Sequence, residues 1–217
     1  MVKIYCDGAG FGRLEEYAED PRIEGFTTNP SLMRKAGIND YRAFARTVLL
    51  MVKGKPVSFE VVADEWAEME RQACEIQSWG PNVWVKIPIT NTRGESSKAL
   101  IEKLADLNLN ITAVMTLGQV DEVWPILRSN HILSVFNGRI TDTGVPPMAF
   151  KMRGAAQRLW ASARSVYDYY QAEAHGFDII TLTPDLIAKL ALGGKSLAEY
   201  SLETVRMFHE DGKGLTV

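Results

Sequence analysis

Lys86 is the residue whose type and place most directly suggest chemistry. It lies late in Val83-Trp-Val-Lys-Ile-Pro88, flanked by apolar residues. Side chains on a strand alternate faces, so Lys86 shares one with Trp84. Desolvation among such neighbours disfavours the ammonium form, and a free amine attacks carbonyls. The alternative is an edge-strand lysine whose head reaches solvent. Glu60 stands in Val57-Ser-Phe-Glu-Val-Val62 among equally apolar neighbours. A lone buried carboxylate is costly unless paired or used. With Lys86 on the next strand, Glu60 has two roles open to it, a simple ion pair with the amine or the handling of protons.

Other polar residues collect at the ends of apolar runs. Asp7 closes the first run, just before Gly8-Ala9-Gly10, where an aspartate commonly starts a turn or caps a helix. Thr27, Thr28 and Asn29 end the second run, and Thr112 lies inside Asn-Ile-Thr-Ala-Val. Ser162 and Arg164 fall on one face of a strand and suit a phosphate, with arginine offering a bidentate fork. Arg139, just past Phe136-Asn137-Gly138, suits the same group. Surface salt bridges are the competing use of both arginines. The run Gly8-Ala9-Gly10-Phe11-Gly12-Arg13 fails as a dinucleotide fingerprint, because Arg13 takes the third glycine position and no fitting acid follows. His131, His175 and His209 fall at helix ends or in the tail and are expected at the surface. No Ser/His/Asp order and no CxxC pair occurs.

The elements that must position these residues alternate along the chain. Strand-like runs cover Val2–Cys6, Gly25–Thr28, Val57–Val62, Val83–Pro88, Leu109–Val114, Ile132–Phe136, Leu159–Ala163 and Asp178–Leu182. Helical periodicity covers Tyr41 to Val52 after a cap at Asn39, Asp64 to Trp79, Ser96 to Leu107, Gln119–Arg128 and Ser165–His175. A tail helix carries Leu197, Tyr200, Thr204 and Phe208 on one side. Thr141–Pro147 is the longest irregular patch, broken by Gly144, Pro146 and Pro147. Strand–helix alternation with short connections predicts parallel strands and right-handed crossovers. Eight such units in 217 residues fit a single α/β domain, a (β/α)₈ barrel with an added C-terminal helix over about residues 196–210. Active sites in that fold lie at the C-terminal ends of the strands, where the polar residues gather.

Composition narrows the class. Lys and Arg number 24 against 27 Asp and Glu, a formal net charge of -3, so no nucleic-acid partner is expected. Two cysteines exclude a disulfide framework and three histidines give no metal cluster. The longest apolar run, Val48 to Val52, cannot span a bilayer, and the N-terminus lacks a signal-peptide pattern. A cytoplasmic protein without a membrane partner is expected.

The chain resembles the transaldolase family, in particular its short members, which include fructose-6-phosphate aldolase. The resemblance rests on Ile4-Tyr5-Cys6-Asp7, Gly25-Phe-Thr-Thr-Asn-Pro-Ser31, Ser58-Phe-Glu-Val61, Val85-Lys-Ile-Pro88, Asn110-Ile-Thr112, Phe136-Asn-Gly-Arg-Ile140, Ala161-Ser-Ala-Arg164 and Ile180-Thr-Leu182. It implies a (β/α)₈ barrel whose fourth-strand lysine, here Lys86, forms a Schiff base with a ketose. It implies that Asp7 is the acid/base at C3–C4 cleavage and that Glu60 and Thr112 hold a catalytic water. It also implies that Asn29, with Thr27 beside it, orients the donor hydroxyls, and that Arg139, Ser162 and Arg164 hold a phosphate. The chain departs from the family pattern at Arg93-Gly94, Asn137, Thr141–Pro147 and Trp160.

One lysine, two carboxylates and a hydroxyl donor are the parts such chemistry needs, with neither metal nor organic cofactor. The resemblance implies small-molecule sugar phosphates as partners. It also implies a homo-oligomer, a pentamer or decamer, with the tail helix lying on a neighbouring copy. The expected reaction transfers a dihydroxyacetone unit from sedoheptulose 7-phosphate or fructose 6-phosphate to an aldose phosphate, as in the pentose phosphate pathway. The alternatives are an aldolase using free dihydroxyacetone, a Schiff-base aldolase acting on a modified sugar, or a non-catalytic sugar-pathway protein. In the family's free-donor aldolases the positions of Glu60 and Phe136 tend to hold Gln and Tyr, so this chain's pair favours transfer.

Overall fold

In a computed structural model the apolar runs form, among the described residues, eight parallel strands, and consecutive strands pair all the way round into a closed barrel. The structure describes residues 1–149 and 154–216. The strands are β1 (Lys3–Asp7), β2 (Ile23–Thr27), β3 (Val57–Glu60), β4 (Val83–Pro88), β5 (Leu109–Val114), β6 (His131–Val135), β7 (Gln157–Trp160) and β8 (Ile179–Leu182). Between and after them lie α1 (Phe11–Glu19), α2 (Pro30–Lys35), α3 (Tyr41–Met51), α4 (Trp66–Gln77), α5 (Lys98–Lys103) and α6 (Leu117–Val123). They are followed by α7 (Asn137–Asp142), α8 (Tyr167–Ala174), α9 (Pro184–Lys189) and α10 (Leu197–Asp211). The expected α/β barrel is therefore the observed fold.

Strand alternation divides the apolar residues into two cores. Outward-facing Phe26, Phe59, Val85, Ile111, Leu133 and Ile180 pack under the helices, where Leu14, Phe44, Val48, Met69, Ile101 and Val120 are buried. Inward-facing Tyr5, Ile132, Leu159 and Ile179, with Trp84 against them, fill the barrel interior. Gly25 makes room for that plug, since a Cβ there would lie 2.5 Å from the Tyr5 ring. Above the plug the interior turns polar, which sets this barrel apart from the wholly apolar filling typical of the fold. Asn110 donates to Ser58 Oγ at 3.0 Å, and Ser134 donates to Asn110 Oδ1 at 2.6 Å. These buried groups satisfy one another, as low-dielectric burial requires.

Several sequence expectations need correction. The cap of α3 is Asp40, whose carboxylate accepts Ala43 N–H at 2.9 Å, not Asn39. Strand β7 stops at Trp160 rather than reaching Ala163, because Ser162 takes a φ of 64° that no strand accommodates. Strand β3 ends at Glu60, not Val62. The helices expected over Asp64–Trp79 and Ser96–Leu107 are trimmed at both ends to α4 and α5. The stretch expected as one helix over Gln119–Arg128 is α6 followed by a 3₁₀ turn, Trp124–Ile126, where Pro125 cannot continue the α-helical ladder. His131 is fully buried rather than at the surface, its ring accepting Arg128 N–H at 3.0 Å. The irregular patch begins later than expected, because Thr141 and Asp142 complete α7. Helices α1, α2, α7 and α9 were not anticipated. Glycines 8, 10 and 12 mask the amphipathic face of α1, which buries Leu14, Tyr17 and Ala18. Proline at the first helical position starts α2 and α9, a signal present in Asn29-Pro30 and Thr183-Pro184.

Candidate active site

A cavity of about 500 Å³ opens at the C-terminal ends of the strands, and all ten residues singled out from the sequence line it. They come from β1 through β5, from the start of α2, and from the segments after β6 and β7.

The floor is built around Lys86. Its register partners are Glu60 on β3 and Asn110 on β5, so three adjacent strands bring these side chains together. Lys86 is 5% exposed. Its Nζ lies 3.2 Å from Glu60 Oε2 and donates to the Thr28 carbonyl at 2.9 Å. The edge-strand alternative is thereby excluded, because both neighbours of β4 are paired. The ion pair foreseen as the simpler role for Glu60 is present. It does not exhaust the carboxylate, which also faces the cavity.

Tyr41, which sequence reasoning missed, holds this corner in place. Strand β2 ends at Thr27 and leaves the outer edge of Glu60 without a ladder partner. Tyr41 Oη supplies one, accepting Glu60 N–H at 2.7 Å and donating to Glu60 C=O at 3.0 Å. Burial pushes the Tyr41 phenol above its usual range, so it keeps the proton it donates. Edge-on contacts of Tyr41 with Phe59 and Trp79 fix the ring.

Asp7 sits half-buried at the end of β1, in register with Thr27. Thr27 Oγ1 donates to Asp7 Oδ1 at 2.7 Å and lies 2.5 Å from Thr181 Oγ1. With its one proton committed to Asp7, Thr27 accepts from Thr181, which makes a short relay ending on the carboxylate. Thr181 was not singled out, although it follows Ile179 on the inward face of β8. Burial raises the Asp7 pKa; the nearby Lys86 charge and the Thr27 hydrogen bond lower it, and the net direction is up. The neighbouring Cys6 thiol is pushed up to about 12 by burial and by Asp7, and so stays an unreactive core group.

Thr112 follows Asn110 on the inward face of β5, in register with Pro88, and a distortion comes directly after it. The β5–β6 register shifts between Ile111 and Val114, and Ala113 adopts a φ of 62°. Such a bulge re-aims side chains near sites of chemistry. Among the described residues, Thr112 Oγ1 is buried with no hydrogen-bond partner, and Thr112 lines the cavity. Asn29 lines it too while capping α2, its Oδ1 accepting Leu32 N–H at 2.9 Å.

The rim carries the cations. Arg139 is on α7, and its guanidinium lies 5.8 Å from the centre of the Phe136 ring. Ser162 and Arg164 follow β7 rather than sharing one of its faces, so the bend at Ser162 presents them. Gly138 is indispensable here, because a Cβ would stand 1.6 Å from the Ser162 carbonyl oxygen. Arg164 is engaged in the salt bridge foreseen as its competing use, a fork onto Asp142 with contacts of 2.5, 3.0 and 3.1 Å.

The cavity thus brings together a buried lysine beside a carboxylate, a second carboxylate with a raised pKa, and cations at the mouth, groups chemically able to attack a carbonyl and to attract an anion. Over 212 residues the chain is 29% identical to a probable transaldolase of Brucella ovis, covering 94% of each. To the probable transaldolase of Bartonella henselae it is 28% identical over 221 residues, covering 98% of this chain and 97% of the other. To that of Dehalococcoides mccartyi it is 33% identical over 145 residues, which is 66% of this chain and 64%, just under two thirds, of that relative. Among solved structures, dihydrodipicolinate synthase of Rhodopseudomonas palustris superposes with a TM-score of 0.53 over 94% of this chain and 79% of that one. At 14% identity this likeness concerns the barrel alone. Residues 4–216, which include every position of the cavity, match the Transaldolase/Fructose-6-phosphate aldolase family, and the chain belongs to that family.

Proposed function

We propose that this protein is a Schiff-base transaldolase, moving a dihydroxyacetone unit from a ketose phosphate to an aldose phosphate. The observation that carries this reading is the Lys86 amine, almost wholly buried, 3.2 Å from Glu60 in the cavity that Asp7 also lines. Lys86 Nζ attacks the C2 carbonyl of the ketose. Glu60, paired with Lys86 and facing the same space as Thr112, takes the proton that frees the amine for attack and later passes it to the departing carbinolamine hydroxyl, so that a water molecule leaves as the protonated imine forms. Asp7 then takes the proton of the C4 hydroxyl. The C3–C4 bond breaks, its electron pair flows into the protonated imine, and an aldehyde departs. The enamine left on Lys86 attacks the incoming aldehyde in the reverse sequence, with Asp7 returning its proton. A carboxylate with a raised pKa suits a group that must both accept and return a proton.

Phe136 bears on what the enamine does next. It lines the cavity without a hydroxyl that could place a water or proton at the enamine. The three-carbon unit therefore waits for an acceptor instead of leaving as free dihydroxyacetone. Fructose 6-phosphate supplied with and without erythrose 4-phosphate, with glyceraldehyde 3-phosphate followed over time, tests this. Turnover that requires the acceptor is expected. Equal multiple turnover without it would make the protein a free-donor aldolase, and no reaction with either sugar would favour a modified-sugar substrate.

The same reading includes a homo-oligomer. None of the residues of α10 is buried, and Leu197, Val205 and Phe208 are 83%, 59% and 64% exposed. Apolar surface of that extent is stabilised by being covered. A multimeric mass by light scattering at micromolar concentration is expected, and a monomer would refute it.

A further inference from the structure

Asp142 belongs to none of the roles above, yet its carboxylate pairs with Arg164, one of the two cations of the rim. It is the last residue of α7, three positions after Arg139, so both side chains rise from one side of the helix. Its carboxylate fills the fork of Arg164, with Oδ2 at 2.5 Å from Nη2 and both oxygens near Nε. Arg139 makes no ion pair of its own among the described residues and sits over Phe136. The charge of Asp142 is felt from both sides, since Arg164 chiefly, and Arg139 to a smaller degree, hold its carboxyl below the ordinary aspartate range.

The pairing is built into the fold. Gly138 lets the start of α7 rest on the Ser162 carbonyl, with Gly138 N–H reaching the Ala161 carbonyl at 3.4 Å. Asp168, which is buried, accepts the N–H groups of Arg164 and Ser165 at 2.9 and 2.8 Å. Backbone contacts thus hold Arg164 and Asp142 opposite each other.

We infer that Asp142 is a specificity-determining residue, a built-in carboxylate that competes with a substrate phosphate for Arg164. The bidentate fork that fits a phosphate fits a carboxylate equally. A phosphorylated aldehyde must displace Asp142 to reach it, whereas an unphosphorylated aldehyde need not. The chain accordingly discriminates less in favour of the phosphate group than its two rim arginines alone would dictate. This inference rests on the aldehyde-acceptor reading above, and its test separates the two.

The test compares Asp142→Asn, Asp142→Glu and Arg164→Ala with the unmodified protein in two assays. In the first, kcat/KM is measured for glyceraldehyde 3-phosphate and for glyceraldehyde as acceptors. Asp142→Asn should raise the ratio of the first to the second about two- to fivefold, the effect of freeing one well-formed exposed ion pair. Asp142→Glu should stay near the starting ratio, and adding Arg164→Ala to Asp142→Asn should cancel the gain. In the second, inorganic phosphate is titrated calorimetrically into the same proteins, so the inference is decided even if no sugar turns over. Tighter phosphate binding by Asp142→Asn is expected. An unchanged ratio with unchanged phosphate affinity would overturn the inference. So would weaker binding, which would mean that Asp142 holds Arg164 ready for phosphate instead of competing with it.

Discussion

The two ends of the cavity are built on opposite plans. At the floor, Lys86, Glu60, Asp7 and Thr112 are delivered by strands, in register with their neighbours. There each charge meets a partner largely out of water, Lys86 and Glu60 being 7% and 16% exposed in their side chains. At the rim, Arg139, Ser162 and Arg164 come from a short helix and a bend, and the Arg164–Asp142 pair is about half exposed on both sides. Water screens the rim pair to a small net contribution, while the floor pair is largely shielded from bulk water. The two ends differ in that the groups of the floor are positioned by strand register, whereas those of the mouth depend on a short helix, a bend and exposed side chains.

Substitutions at the floor should accordingly have the largest effects. Lys86→Ala removes the amine altogether, and turnover should fall by about 10⁴-fold or more, the scale of losing a covalent nucleophile. Lys86→Arg should be equally inactive, because a guanidinium does not deprotonate to attack a carbonyl. Steady-state assays of both variants check this, and activity retained by either would break the contrast between floor and rim.

Asp7→Asn should slow cleavage by about 10²-fold while leaving trapping of the imine intact. It should also separate activity from stability. The folded Asp7 pKa is raised, so the ionised carboxylate costs stability at neutral pH. That cost is present above the folded pKa and disappears as pH falls through it toward the ordinary value near 4. At pH 7 the asparagine variant should melt a few degrees higher, roughly 2–4 °C per kcal/mol for a chain of this size, and the gain should vanish in acid. Melting curves at several pH values check the sign; a variant less stable at pH 7 would mean that Asp7 is chiefly structural.

Gly138→Ala attacks the rim through its backbone. With a Cβ 1.6 Å from a carbonyl oxygen, α7 or the bend at Ser162 must shift. A loss of about 3 kcal/mol of stability is expected, in the range of backbone strain and overpacking in a core. Chemical denaturation measures it. Below the lowered melting point, the Lys86 imine should still form while affinity for phosphorylated substrates drops.

The smallest effect belongs to Tyr41→Phe, which strips both hydrogen bonds from the Glu60 backbone. The cost should be about 1–2 kcal/mol of stability for the groups left unpaired. Turnover should fall at little change in KM, since Glu60 is displaced but not removed. Thermal melts with kcat and KM report the two effects separately.

The floor was legible in the sequence because strand periodicity is strict. Lys86 and Glu60 break apolar runs, and a period of two assigns them to one interior face. The rim was less legible. Ser162 and Arg164 sit in what reads as a continuing strand, and only the positive φ at Ser162 ends it. Asp142 lies in a stretch whose prolines and glycine suggest a loop, although the helix persists through it. The periodicity marks Tyr41 only as the start of a helix, and its hydroxyl meets Glu60 through a contact between elements that no local pattern encodes. Thr181 was hidden for the opposite reason, since a threonine in a buried strand is unremarkable until its neighbour on the next strand is known to touch Asp7.

The central claim is that Lys86 is the covalent nucleophile, and borohydride reduction in the presence of fructose 6-phosphate tests it most directly. After proteolysis and mass mapping, the account predicts a single reduced sugar adduct on the peptide containing Lys86, absent from Lys86→Ala. An adduct on any other lysine, or labelling that survives Lys86→Ala, would contradict it.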